Sequence, residues 1–158
     1  MSAGMNTGRD PTGGAPPPDI ARGIEADCTQ LLYRFYYYLD EFRYRDMAEL
    51  FVADGVWHRA GQALQGRDQI IAALERRSTT QRVRHVVTNL LIEAGDDATA
   101  QIVFYLTAYQ HDDGVRSEAP AKIGGPSLLL VVTATLVKAA AGWRIARQTT
   151  KREFEFAD

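Results

Sequence analysis

The sequence predicts an α+β domain in which three helices precede four long strands, the strands pairing antiparallel as a meander with the helices packed on one face. Three observations carry this expectation. Apolar residues recur at helical spacing from Ile20 to Phe42, the period switches to two from Val83 onward, and the late apolar runs are separated by turn signals at Gly95-Asp96-Asp97 and Ala141-Gly142. With 158 residues, 46% of them apolar and 24% charged, the chain supplies one substantial core and no second full domain.

Met1 to Pro18 (MSAGMNTGRDPTGGAPPP) is rich in Gly and Pro and almost free of bulky apolar groups, so burial cannot repay the entropy of ordering it. It reads as a disordered tail, leaving 19–158 as the domain. Asp19 is a good N-cap directly after three prolines, and Ile20, Ile24, Cys28, Leu31, Leu32, Phe35, Leu39 and Phe42 then trace one long amphipathic helix. Asp46 to Phe51 reads as a short second helix stopped near Asp54-Gly55, and Val56-Trp57-His58 as a brief strand. After the turn from Gly61 to Gly66, Asp68 caps a third helix carrying Ile70, Ile71, Ala73 and Leu74. Strands follow at Val83 to Glu93, Thr99 to Gln110, Ser127 to Lys138 and Trp143 to Phe154. Ile102, Phe104, Leu106 and Ala108 form one apolar face of their strand, whereas Leu128 to Val132 is apolar on both faces. A sheet covered on its outer side is expected, with a second subunit as the cover and a dimeric or trimeric homo-oligomer as the result. The polar, Gly- and Pro-broken segment from His111 to Pro126 reads equally as a lid or as a surface excursion.

Charge and motifs narrow the function. A net charge of −2 argues against a nucleic-acid or anionic-membrane surface, which needs a basic excess on one face, so small ligands are expected. No run has the length of a membrane span and the start of the chain lacks a secretory pattern, which gives the expectation of a cytoplasmic protein. The single cysteine, Cys28, rules out an internal disulfide and sits on the apolar stripe of the first helix as a small hydrophobe. His58, His85 and His111 are scattered, with no HxxxH or CxxC spacing, so no metal site is expected. Nucleotide-binding glycine fingerprints and serine-nucleophile motifs are missing as well. Any catalysis is therefore expected to be acid–base chemistry without a cofactor.

Two residues stand out for that chemistry. Asp40 closes the aromatic run Tyr36-Tyr37-Tyr38-Leu39, and His85 lies in the strand Arg84-His85-Val86-Val87-Thr88-Asn89. An imidazole that titrates near neutrality, oriented by a carboxylate, suits proton abstraction from a small molecule. By residue type alone Asp40 serves equally as a helix-end partner for Arg43 or Arg45, and a lone strand histidine is more often structural. Among the tyrosines, Tyr33, Tyr36 and Tyr37 share a helix side with Asp40, so Tyr36 and Tyr37 are candidates for a substrate-polarising hydroxyl. Asn89 follows His85 on the same face of an ideal strand and can bond a ligand or merely the backbone.

The stretches LLYRFYYYLDEFRYRDMAELFVADGVWHRAG, GRDQIIAAL, RHVVTNLLIE and GWRIARQTTKRE together resemble the SnoaL-like branch of the nuclear-transport-factor-two-like superfamily, over roughly Ile20 to Phe154. The resemblance implies a cone of curved sheet closed by helices around an apolar cavity. Its relatives include scytalone dehydratase, polyketide cyclases, a bile-acid dehydratase and hexachlorocyclohexane dehydrochlorinase. Asp40 and His85 match the positions of the orienting aspartate and the proton-abstracting histidine of the dehydratase and dehydrochlorinase members. Trp57 matches a cavity aromatic, and Arg147 a basic position near the leaving group in some members. On an ideal strand Arg147 shares a face with Trp143 and Ile145; it serves equally an ion pair with a helix acid. The implied function is a cofactor-independent lyase or isomerase acting on a hydrophobic small molecule. The alternatives are a structural role like that of the small β subunit of ring-hydroxylating dioxygenases, which shares this fold, or simple ligand binding.

Overall fold

A computed structural model describes residues 16–156, so the expected tail lies, up to residue 15, outside the described residues. The elements run α1 (Pro18–Asp40), α2 (Tyr44–Ala48), β1 (Phe51–Arg59), β2 (Gln62–Gln65), α3 (Arg67–Leu74), β3 (Arg82–Ala94), β4 (Thr99–His111), β5 (Leu128–Ala139) and β6 (Gly142–Glu155). Helix α1 starts with Pro18 in its first turn and Pro17 at the cap, where a missing N–H costs nothing; Asp19, expected as the cap, instead puts its charge beside the positive helix end.

The six strands form one curved sheet in the order β2-β1-β6-β5-β4-β3, open at its β2 and β3 edges. The expected meander is present as β3 to β6, antiparallel throughout. β1 adds to it in parallel along β6, a pairing across about half the chain that local pattern does not encode. The brief strand expected at Val56–His58 lies in the second half of a nine-residue strand that begins already at Phe51, inside the stretch expected to be the second helix, and the turn expected from Gly61 to Gly66 contains β2.

Irregularities bend this sheet. Between Phe51 and Val56 the β1 register against β6 slips, and at Gly55 the backbone passes so close that a Cβ would stand 3.0 Å from the Ile145 carbonyl oxygen. On the other side of β6, Ile145 pairs with Leu136 and Arg147 with Thr135, so Ala146 is an extra, bulged residue. In β3, Asn89 and Leu90 together oppose the single residue between Tyr105 and Val103, and Asn89 takes a positive φ of 53°.

The concave face carries the core. Ile24, Cys28, Leu31, Leu32, Phe35, Tyr36 and Leu39 of α1 pack with Phe104, Val132, Leu136, Trp143 and Ile145 of the sheet. Phe35 is fully buried and meets Tyr36, Phe51 and Trp57 edge to face. Residues 112–127 form an irregular, mostly exposed excursion tied down by an Arg82 side-chain bond to the Ala119 carbonyl; none of them lines the main cavity described below.

Candidate functional site

The last turn of α1 and the first half of β3 meet at one point. Asp40 ends the helix on its buried stripe, and His85 follows Val83 by two residues on the inward face of β3. The Asp40 carboxylate contacts His85 twice: Oδ1 lies 2.5 Å from the ring Nδ1, and Oδ2 accepts the backbone N–H at 2.9 Å. Side-chain exposures of 8% for Asp40 and 13% for His85 remove the pair from bulk water, so their coupling is weakly screened. The joint is braced on both sides. Arg84 pairs with Glu41 at 3.0 Å, and Arg77 donates to the Leu39 carbonyl at 3.0 Å, satisfying an end carbonyl of α1.

His85 lines a cavity of about 740 Å³. Its apolar wall comes from Leu39, Trp57, Val83, Leu106, Ala108 and Leu130, that is, from helix and sheet together. Tyr36 also faces it, with its ring centroid 5.2 Å from that of His85. Burial pushes the Tyr36 phenol pKa far up; the neighbouring Gln148 amide offsets part of this and the Asp40 charge adds to the rise. Tyr36 is thus a neutral hydrogen-bond donor at any ordinary pH. Trp57 is buried against Phe35, and its indole Nε1 has no partner among the described residues.

Of the residues singled out in the sequence, Asp40, His85, Tyr36 and Trp57 come together. Tyr37, Asn89 and Arg147 do not. Tyr37 is 59% exposed on the outer side of α1, since two adjacent tyrosines lie about 100° apart and only Tyr36 turns inward. Asn89 is exposed because it is the bulged residue of β3. Arg147 is exposed for the same reason in β6: after the extra Ala146, the inward places of that strand fall to Gln148, Thr150 and Arg152. Gln148 is 1% exposed and both polar atoms of its amide lack a protein partner at hydrogen-bonding distance and geometry.

Among the charged cavity residues, Arg59, Arg77, Arg152 and Glu155 escaped the sequence reading. Arg59 follows Trp57 by two on β1, so simple alternation signals it. Arg77, in the loop after α3, offers no such local signal. Among the described residues no group of three or more His, Cys, Asp or Glu side chains is arranged to hold a metal ion, and no helix is long and apolar enough to cross a membrane.

An open, curved, mostly antiparallel sheet closed by N-terminal helices over a cavity defines the NTF2-like class with a cystatin-like fold. The SnoaL-like domain profile matches residues 24–149, and the chain belongs to that family. Solved structures agree on the fold. A candidate scytalone dehydratase from Novosphingobium aromaticivorans superposes with a TM-score of 0.75 at 20% identity, covering 90% of this chain and 93% of that one. An NTF2-like protein with a cystatin-like fold from the same species gives 0.69 at 18% identity, over 87% and 88% of the two chains. A Catenulispora acidiphila protein in complex with S-DNPA gives 0.66 at 24% identity, over 84% and 95%. Comparison with curated proteins finds no match.

Proposed function

We propose that the protein is a cofactor-independent lyase or isomerase, of the dehydratase or cyclase kind, acting on a hydrophobic small molecule. The observation that supports this reading is the Asp40 carboxylate bound to both the ring and the backbone of His85 on the wall of a cavity that is apolar on one side and charged on the other. With Nδ1–H donating to Asp40, Nε2 keeps its lone pair and acts as general base. It takes a proton from a carbon beside a carbonyl, the electron pair moves onto the carbonyl oxygen, and the Tyr36 phenol donates a hydrogen bond to the developing charge. In an elimination the electron pair returns to form the C=C bond, the β C–O bond breaks, and the imidazolium delivers its proton to the departing hydroxide as water. In an isomerisation the proton returns to a different carbon. Asp40 orients the ring and stabilises the imidazolium between these steps.

The test requires no knowledge of the natural substrate. Exchange of the α-protons of an apolar ketone, 2-tetralone, is followed in D2O by NMR; the protein accelerates it above buffer, and His85→Ala lowers the acceleration by about two orders of magnitude or more. Equal exchange by wild type and His85→Ala refutes the general base. A protein that binds the ketone and exchanges it no faster than buffer is a binder, as some relatives of this fold are.

The outer face of β3 and β4 exposes Val86, Leu91 and Tyr105. We infer that a second copy covers it, and light scattering on the purified protein gives more than the monomer mass; a monomer refutes the inference.

A further inference from the structure

We propose that Arg59 and Arg77 form a carboxylate-binding subsite in the cavity, so that the molecule presented to Asp40 and His85 is an apolar acid in its ionised form. The implied orientation, with the carboxylate on the arginines and the reacting carbon toward His85, rests on the acid–base reading above; the recognition of the anion does not.

The two guanidinium groups share one cavity with His85. Arg59 lies over the Trp57 ring at 5.4 Å from its centroid, and Arg77 lies over Phe42 and Tyr44 at 5.3 and 5.7 Å. Stacking on aromatic faces fixes the plane of a guanidinium without using its N–H donors. Arg77 spends Nη1 on the Leu39 carbonyl and Nε on Gln81, leaving Nη2. Among the described residues, Arg59 makes no side-chain hydrogen bond or ion pair. Arg22, Arg43, Arg67, Arg84 and Arg152 each contact a carboxylate, and the partner of Arg152, Glu155, lies with it on the cavity lining. Arg59 and Arg77 face the cavity with no carboxylate partner among the described residues, and both are half-buried.

Two like charges drawn partly out of water beside one another are unfavourable. The effect is visible in Arg59, whose pKa is lowered first by burial and then by the charge of Arg77. A guanidinium stays charged under such pressure, so relief comes from an anion rather than from proton loss. An open fork on Arg59 and one free donor on Arg77 match the two oxygens of a carboxylate. The apolar wall beside them suits the rest of the molecule.

Calorimetry with 2-naphthoate and its uncharged isostere 2-naphthamide tests this at neutral pH. Wild type is expected to bind the acid about ten- to a hundredfold more tightly than the amide, the range for charge-assisted hydrogen bonds. Arg59→Gln removes that preference while amide affinity is retained, which also shows that the cavity is still formed; Arg59→Lys restores part of it. His85→Ala keeps the preference, so failure of the general-base reading and failure of the anion subsite give different results. Equal affinity of wild type for acid and amide, an undiminished preference in Arg59→Gln, or no binding of the acid at millimolar concentration overturns the proposal. Tighter binding of 2-naphthyl phosphate than of 2-naphthoate overturns the choice of a carboxylate.

Discussion

Asp40→Asn isolates the charge and the acceptor count of one group with almost no change in shape. In the native protein the carboxylate accepts both the backbone N–H and the Nδ1–H of His85. An asparagine places an acceptor oxygen at only one of those two positions and an NH2 donor at the other, so the two-point acceptance is lost. The low-cost rearrangement keeps the oxygen on the backbone N–H and turns the amide NH2 toward Nδ1, which shifts the ring proton to Nε2. The base then points a proton, not a lone pair, into the cavity. Loss of the negative charge adds to this: at about 4 Å and an effective dielectric of about 20, an imidazolium–carboxylate attraction is worth about 4 kcal/mol. Blocked tautomer and lost charge together predict a fall in proton-exchange activity of about 10³-fold, within the range set by the two effects. Stability should fall by only about 1–3 kcal/mol, the cost of one imperfect buried hydrogen bond. Two-bond ¹⁵N–¹H correlation spectra at pH about 9, where a free imidazole is neutral, read the tautomer directly. If Asp40→Asn leaves Nε2 unprotonated and exchange undiminished, the orienting role of Asp40 is wrong.

Three further outcomes follow from the same packing. Tyr36→Phe removes a neutral donor beside His85 without altering ring packing, so exchange falls about ten- to a hundredfold while the urea midpoint moves little. Phe35→Ala empties a fully buried position against Tyr36, Phe51 and Trp57 and lowers unfolding free energy by about 3–5 kcal/mol in urea titration. Burial pushes the Cys28 thiol from its ordinary 9.0 up to about 11, with the Asp27 charge adding to the rise. The unfolded chain therefore ionises first, and stability falls as pH rises from 9.0 to about 11, a limb that Cys28→Ala flattens; native Cys28 also resists a thiol reagent at pH about 8 until the protein unfolds.

The local rules were legible and the non-local ones were not. A 3.6-residue period is visible along α1 because its packed stripe recurs five times between Ile24 and Asp40, and the four long strands show their alternation and turns for the same reason. The parallel seam between β1 and β6 leaves no mark in either segment alone. Bulges are the other blind spot. Trp143 and Ile145 point inward as alternation requires, yet a single unpaired Ala146 transfers the inward place from Arg147 to Gln148. Asn89 is lost to the cavity by the equivalent event in β3. The nearness of Asp40 and His85, 45 residues apart, came through the family resemblance and not through any spacing rule. Arg77 lies in a loop, where periodicity has nothing to say.

The extra residue in β6 separates two properties that a regular strand ties together. Deleting Ala146 would restore strict alternation from Ile145 through Arg147 to Gln148 without changing which side chain faces inward beyond that point, so it would straighten the strand and spare the lining. Substituting Thr150 or Arg152, by contrast, changes the lining and spares the bend. Cavity shape and cavity chemistry are thus written in different letters of the same strand, and a lineage can reshape the chamber by a one-codon deletion or retune its contents by point substitution, each independently of the other.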